Sequence, residues 1–148
     1  MKIFVAADHG GFRMREKILE YLQERGREVV DVGNKELEPE DDFPGIARAA
    51  VMGLLSSDDG ARAILICSGG QGMAMMANRF RGVRAVVAWD TTEVRVSRND
   101  NDSNVLCLPA RVLDGNETLW KDIIDTWLEA PFAAASRYIR RNGQLDEI

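Results

Sequence analysis

Residues 63–72 read Ala63-Ile64-Leu65-Ile66-Cys67-Ser68-Gly69-Gly70-Gln71-Gly72, and this stretch decides the fold. The run from Ala63 to Cys67 carries no polar side chain on either face. A strand of that kind is buried on both sides, as in a parallel sheet. Glycines interrupt it at once, and residues 73–80 beyond them have helical spacing. The same alternation recurs outward in both directions. Short apolar runs at residues 3–7, 28–32, 83–88 and 104–108 supply four more strands. Between and after them, residues 12–25 place Met14, Ile18, Leu19 and Leu22 on one helical face. Pro44 opens a helix as a first-turn proline, which residues 47–55 continue. Residues 93–98, 117–128 and 131–141 complete the helices, and the acidic stretch 35–42 reads as a loop. Helices between strands allow right-handed crossovers. The expected fold is α/β: a three-layer α/β/α Rossmann-like domain with a five-stranded parallel sheet. No repeat or linker divides the chain, so residues 1–148 are read as a single domain.

Composition narrows the function. Of the 148 residues 45% are apolar and 29% charged, which excludes disorder, collagen and coiled-coil rods. Acidic side chains outnumber basic ones, 24 to 19, leaving a net charge of -5. That balance argues against nucleic-acid or anionic-membrane partners. No apolar stretch approaches the ~20 residues of a membrane span. The N-terminus reaches Asp8 and His9 before a signal-peptide core can form, so a cytoplasmic location is expected. Cys67 and Cys107 lie in apolar runs without C-x-x-C or Cys/His spacing. They read as reduced thiols rather than a disulfide or zinc framework.

In open parallel sheets, ligands sit at the carboxyl ends of the strands. Ser68, Gly69, Gly70 and Gly72 follow Cys67 there, and backbone N–H groups of such a turn, backed by a helix N-terminus, stabilise negative charge. The same positive end favours the thiolate of a cysteine, making Cys67 a base or nucleophile. A buried small hydrophobe beside a tight turn accounts for these residues equally well. The loop lacks the Lys-Ser/Thr ending of a P-loop and the last glycine of a dinucleotide fingerprint, so no nicotinamide cofactor is expected. Asp8-His9-Gly10-Gly11 ends the first strand. His9, the only histidine, can hydrogen-bond a phosphate or a hydroxyl there, or simply flank an ordinary turn. Arg137 and Arg141 share a helical face by i,i+4 spacing, a fork suited to phosphate. Cations at a helix end also complement its dipole without any ligand. Arg111 follows the fifth strand and is placed to join them. Met73, Met75 and Met76 read as core filler, Trp89, Trp120 and Trp127 as packing or interface residues. Glu38, Glu40, Asp41 and Asp42 read as a solvated loop with no metal-binding pair.

Taken in order, these turns resemble one family. They are Asp8-His9-Gly10-Gly11, Asp42-Phe43-Pro44, the Cys67-to-Gly72 loop with Ala77-Asn78-Arg79, Gly82-Val83-Arg84-Ala85, Ser97-Arg98, Asn101-Asp102-Ser103-Asn104-Val105-Leu106 and Arg111-Val112. The sequence is similar to type B ribose-5-phosphate isomerase and the galactose-6-phosphate isomerase subunits, from residue 1 to about Arg141. The resemblance implies a metal-free, cofactor-free aldose–ketose isomerase of a phosphorylated sugar, built as a homodimer with shared active sites, a tetramer being the other assembly. By position, Cys67 matches the base that moves a proton between C1 and C2 through an enediolate. The N–H groups of residues 69–72 match its anion hole. His9, Arg137 and Arg141, with Arg111, match phosphate contacts; Asp8 and Asn101 match contacts to sugar oxygens. The family usually has threonine at Gly69, tyrosine at Phe43, and at Asp100 a histidine credited with opening the sugar ring. An ordinary aspartate is ionised at neutral pH and cannot donate that proton. Weak activity on ribose 5-phosphate is therefore expected. A non-catalytic or partner-dependent sugar-phosphate-binding relative is the alternative.

Overall fold

The computed structural model describes residues 1–57 and 60–148. Its five strands are β1 (Lys2–Ala7), β2 (Glu28–Asp31), β3 (Arg62–Cys67), β4 (Ala85–Val87) and β5 (Val105–Pro109). All pair in parallel in the order β2-β1-β3-β5-β4. The unbroken apolar runs sit where their chemistry requires: every residue of β5 is buried, as are Ile3 to Ala7 of β1 and Ala63 to Cys67 of β3. β5 inserts between β3 and β4, leaving the three-residue β4 as a short edge, the kind of edge least able to recruit another chain.

Helices α1 (Phe12–Glu24), α2 (Phe43–Leu55), α3 (Gln71–Ala77), α4 (Thr91–Asn101), α5 (Ala110–Leu113), α6 (Glu117–Glu129) and α7 (Ser136–Gln144) complete the chain. Met14, Ile18 and Leu22 of α1, Val94 of α4, Leu113 of α5 and Trp120, Ile123 and Trp127 of α6 cover one face of the sheet. Ala47, Ala50, Val51 and Leu54 of α2 and Met73, Ala74 and Ala77 of α3 cover the other. The three-layer arrangement expected from the strand pattern is therefore present.

Three details depart from the sequence reading. The helix expected over 131–141 begins only at Ser136 and runs on to Gln144. Pro131 has no N–H, Ala133 donates its N–H to the Asn99 carbonyl at 3.1 Å, and Ala134 takes φ 50. A tertiary hydrogen bond thus replaces the helical ladder that an alanine-rich stretch would otherwise form. The four-residue α5 was not foreseen. Met75 points outward, 70% exposed, whereas Met73 is fully buried, so only part of the methionine cluster is core. Of the tryptophans, Trp120 and Trp127 are core and Trp89 is exposed.

The order of strands fixes where a ligand can bind. β1 leads to β2 on one side, while β3 lies on its other side, so the winding reverses between β1 and β3. The crevice outside their carboxyl ends is the switch point of the sheet. Asp8 and Ser68 open onto it.

Candidate active site

β3 delivers Cys67 to this crevice with its side chain buried, and its Sγ accepts the Gly70 N–H at 3.0 Å. That contact depends on the turn. Gly70 has φ 77 and serves as the N-cap of α3, a left-handed conformation that a side chain disfavours. The first turn of α3 then begins at Gln71, two residues earlier than the helical spacing implied. Phe43, at the start of α2, lays its ring over Gly72, where a Cβ would come within 2.9 Å of it. The β1 turn closes just as tightly: a Cβ on Gly11 would meet the Ile66 carbonyl at 2.6 Å. Glycine is what lets the two loops touch.

Cys107 is on β5, beside β3, and is completely buried. Burial, with the nearby Cys67 as a lesser cause, pushes its thiol far up. Both cysteines are free. Among the described residues, only Cys67 has a donor aimed at its sulfur.

Asp8 is also buried, and its Oδ1 accepts the Gly10 N–H at 2.9 Å. Desolvation raises its pKa, and the Gly10 hydrogen bond partly offsets this. Next to it His9 is half exposed, with Nδ1 2.7 Å from Asp41 Oδ1. That hydrogen bond holds His9 above its ordinary pKa, with the charges of Asp8 and Asp41 as lesser causes. Arg111 donates its backbone N–H to the Ser68 carbonyl at 3.0 Å, and its Nη2 lies beside Gly69. Gln71 reaches over Gly69, into the space a side chain there would take.

Asp41 corrects the reading of its loop. Glu38, Glu40 and Asp42 are exposed, but the Asp41 carboxylate turns inward and is only 10% exposed. Donor atoms of Asp8, His9 and Asp41 lie within 4.8 Å of one another, a spacing a cation can bridge. However, both Asp41 oxygens already accept N–H groups, from His9 and from Asn34, so the group is a hydrogen-bonded pair. Local patterning could not reveal a contact 32 residues apart in sequence.

Asp8, His9, Cys67, Ser68, Gly69, Gly70, Gly72 and Arg111 thus meet at the carboxyl edge. Asp100, Asn101, Arg137 and Arg141 do not. Helix α4 leaves β4 at that edge and runs back for 11 residues, about 16 Å, to deliver Asp100 and Asn101 at the opposite edge. There Arg84, just before β4, donates to the Asn101 carbonyl at 2.8 Å. Helix α7 sits alongside: Asn142 donates to the Asp100 carbonyl at 3.4 Å, and Arg137 reaches the Tyr138 hydroxyl at 2.9 Å. Arg111 therefore does not join Arg137 and Arg141 within one chain. Asp100 is half-buried and accepts from Asn99, while the Asp102 carboxylate is held by Arg84 and Arg98 at 3.1 and 2.7 Å. The two aspartates do not form a buried pair. A cleft of about 570 Å³ also opens at this edge, between Phe80, Arg81, Arg84, Asn101 and Asp146.

Known proteins share this fold. The family model for Ribose/Galactose Isomerase matches residues 3–145. The chain is 40% identical to ribose-5-phosphate isomerase B of Escherichia coli over 88% of its own length and 85% of that protein's. Ribose-5-phosphate isomerase B of Clostridium thermocellum superposes with a TM-score of 0.92 at 36% identity, covering 99% of this chain and 96% of the other. The Mycoplasma genitalium enzyme, solved with bound ribulose-5-phosphate, gives 0.91 at 31% identity, covering 97% and 93%. A shared fold, a family match along nearly the whole chain and identities of 31–40% lead to one conclusion: the chain belongs to the ribose/galactose isomerase family.

Proposed function

We propose that the protein, acting over residues 1–148 as one domain, interconverts an aldose phosphate and its ketose phosphate by proton transfer through an enediolate. The observation that carries this reading is the Cys67 sulfur held 3.0 Å from the Gly70 N–H at the switch point of the sheet. A thiolate there takes the C2 proton of the open-chain aldose. Negative charge then develops on O1, within reach of the N–H groups of the glycine turn, a preorganised anion hole. Proton exchange between O1 and O2 and return of the sulfur-bound proton to C1 give the ketose. The reaction as drawn uses no metal and no cofactor.

Asp8 lies beside Cys67's loop and takes a sugar hydroxyl, and His9 and Arg111 meet the phosphate. The remaining phosphate ligands, Arg137 and Arg141, with Asn101 and Asp100, sit at the far edge of the same chain. A second copy of this chain must bring them to the first, so we read the protein as a homodimer with two shared sites, active in the cytoplasm. Helix α7 buries none of its residues and leaves Ile139 exposed, in keeping with a partner surface.

Which sugar is used turns on Asp100. With a carboxyl group where the family has imidazole, ring opening lacks the family's imidazole; Asp102 is held by Arg84 and Arg98, and the single histidine is given to the phosphate. Purified protein assayed on a panel of aldose and ketose phosphates should favour sugars that open readily, or that cannot close a furanose, over ribose 5-phosphate. Asp100→His should raise activity on cyclic ribose 5-phosphate more than on an open-chain analogue. Robust parent activity on ribose 5-phosphate without a gain from histidine would remove Asp100 as the limiting difference. Because Asp100 departs from the family, a partner-dependent or sensing relative is the second reading; turnover of no sugar on the panel would select it.

A further inference from the structure

His9 is gripped from a distance by hydrogen bonds that run through three other residues. Asp41 Oδ1 accepts both the His9 backbone N–H, at 3.0 Å, and its Nδ1–H, at 2.7 Å. Asp41 Oδ2 accepts Asn34 Nδ2 at 2.9 Å, and the Asn34 carbonyl in turn accepts Arg15 Nη2 at 2.7 Å. Arg15 is 3% exposed, with Nε 3.7 Å from the Asp31 carboxylate, and its guanidinium lies over the Phe12 ring. Gly33 carries no side chain because Arg15 Nη1 occupies the space where a Cβ would stand. A buried arginine therefore fixes the loop after β2, and the loop fixes Asp41.

We propose that Asp41 is a positioning residue for substrate binding, holding His9 by its backbone and Nδ1 so that Nε2–H is presented to the phosphate of the sugar. This rests on the isomerase reading of the site, which gives His9 its phosphate. The chemistry is specific. A phosphate oxygen needs a donor, and an imidazole bound through Nδ1–H offers one at Nε2 only as the imidazolium. Asp41 favours that form, and Asp8 is the other charged group facing the ring. Nothing at Glu40 or Asp42 does the same, since both side chains are exposed.

Because His9 is the only histidine, its ring resonances are unambiguous in a proton NMR titration. The parent should titrate above an ordinary histidine, Asp41→Asn lower, and Glu40→Gln as the parent. Asn34→Ala, which leaves the carboxylate but loosens it, should shift His9 the same way by less, and it decides the matter if Asp41→Asn does not fold. At neutral pH the affinity of Asp41→Asn for inorganic phosphate should fall roughly tenfold or more, the loss of a charge-assisted hydrogen bond. KM for the sugar phosphate should rise in step while kcat is largely kept. As pH rises, the parent's affinity should persist to a higher pH than the variant's. An unchanged His9 titration in the variants overturns the proposal, as does an unchanged phosphate affinity when His9 has shifted. If the parent turns over no sugar phosphate, the isomerase reading falls, and the phosphate and NMR measurements still decide the role of Asp41.

Discussion

Cys67→Ala is expected to lower turnover by at least the ~10²–10⁴-fold typical of a lost general base, with sugar-phosphate binding retained. The substitution removes one buried atom from the end of β3 and leaves the Gly70 N–H without its sulfur partner. It leaves the glycine turn, Asp8 and His9 in place, so affinity should survive. Cys107→Ala is the matched control. Its thiol is buried in the core and pushed up by desolvation, so it holds no thiolate to lose. A kcat near the parent's in Cys67→Ala, or an equal loss in both variants, would end the assignment of Cys67 as the base.

Trp127→Ala is expected to be the most damaging change to the fold, costing ~3–5 kcal/mol. Trp127 is wholly buried in the α6 layer, donates Nε1–H to Ser103 Oγ at 3.0 Å, and lies under the Arg62 guanidinium, 5.2 Å from the ring centre. Arg62 meanwhile donates to the Trp127 and Leu128 carbonyls, closing the end of α6 against β3. Truncation would leave a cavity and strip Arg62 of its apolar cover. Domains of this size hold only about 5–15 kcal/mol in total. Trp127→Phe keeps most of the volume and the ring under the cation, and should lose much less. Urea unfolding reads both. A midpoint for Trp127→Ala close to that of Trp127→Phe, at unchanged slope, would show that this packing is not what secures α6.

The layers of the fold were legible because burial writes itself into composition. Strands covered on both faces have nowhere to put a polar residue, and β1, β3 and β5 show it. The order of strands was not legible. That β5 pairs with β3 and pushes β4 to the edge is a choice between distant segments of similar apolarity, which no local period encodes. The start of α7 was misread for the same reason: Ala133 bonds to Asn99, far back in the chain, against its own local preference. In the site, the turns that the backbone makes by itself were readable, glycine by glycine. Asp41 was not, because its neighbours Glu40 and Asp42 have the same chemistry and only the fold selects which carboxylate turns inward. Nor did helical spacing tell that Arg137 and Arg141 end up at the edge opposite Cys67. Only the length and direction of α4 and its contacts with α7 reveal that.

That separation calls for a second copy of the chain, and subunit mixing tests it. A Cys67→Ala chain is combined with an Arg137→Ala/Arg141→Ala chain by unfolding and refolding together, then assayed at low substrate, where loss of the arginines, through a raised KM, matters most. In a two-fold dimer with shared sites, each hybrid holds one site with both parent contributions. Half of the dimers are hybrids, so activity should recover to roughly a quarter of the parent's. Activity no greater than the sum of the two variants kept apart would mean that each chain builds its site alone, and would contradict a site completed by a second copy.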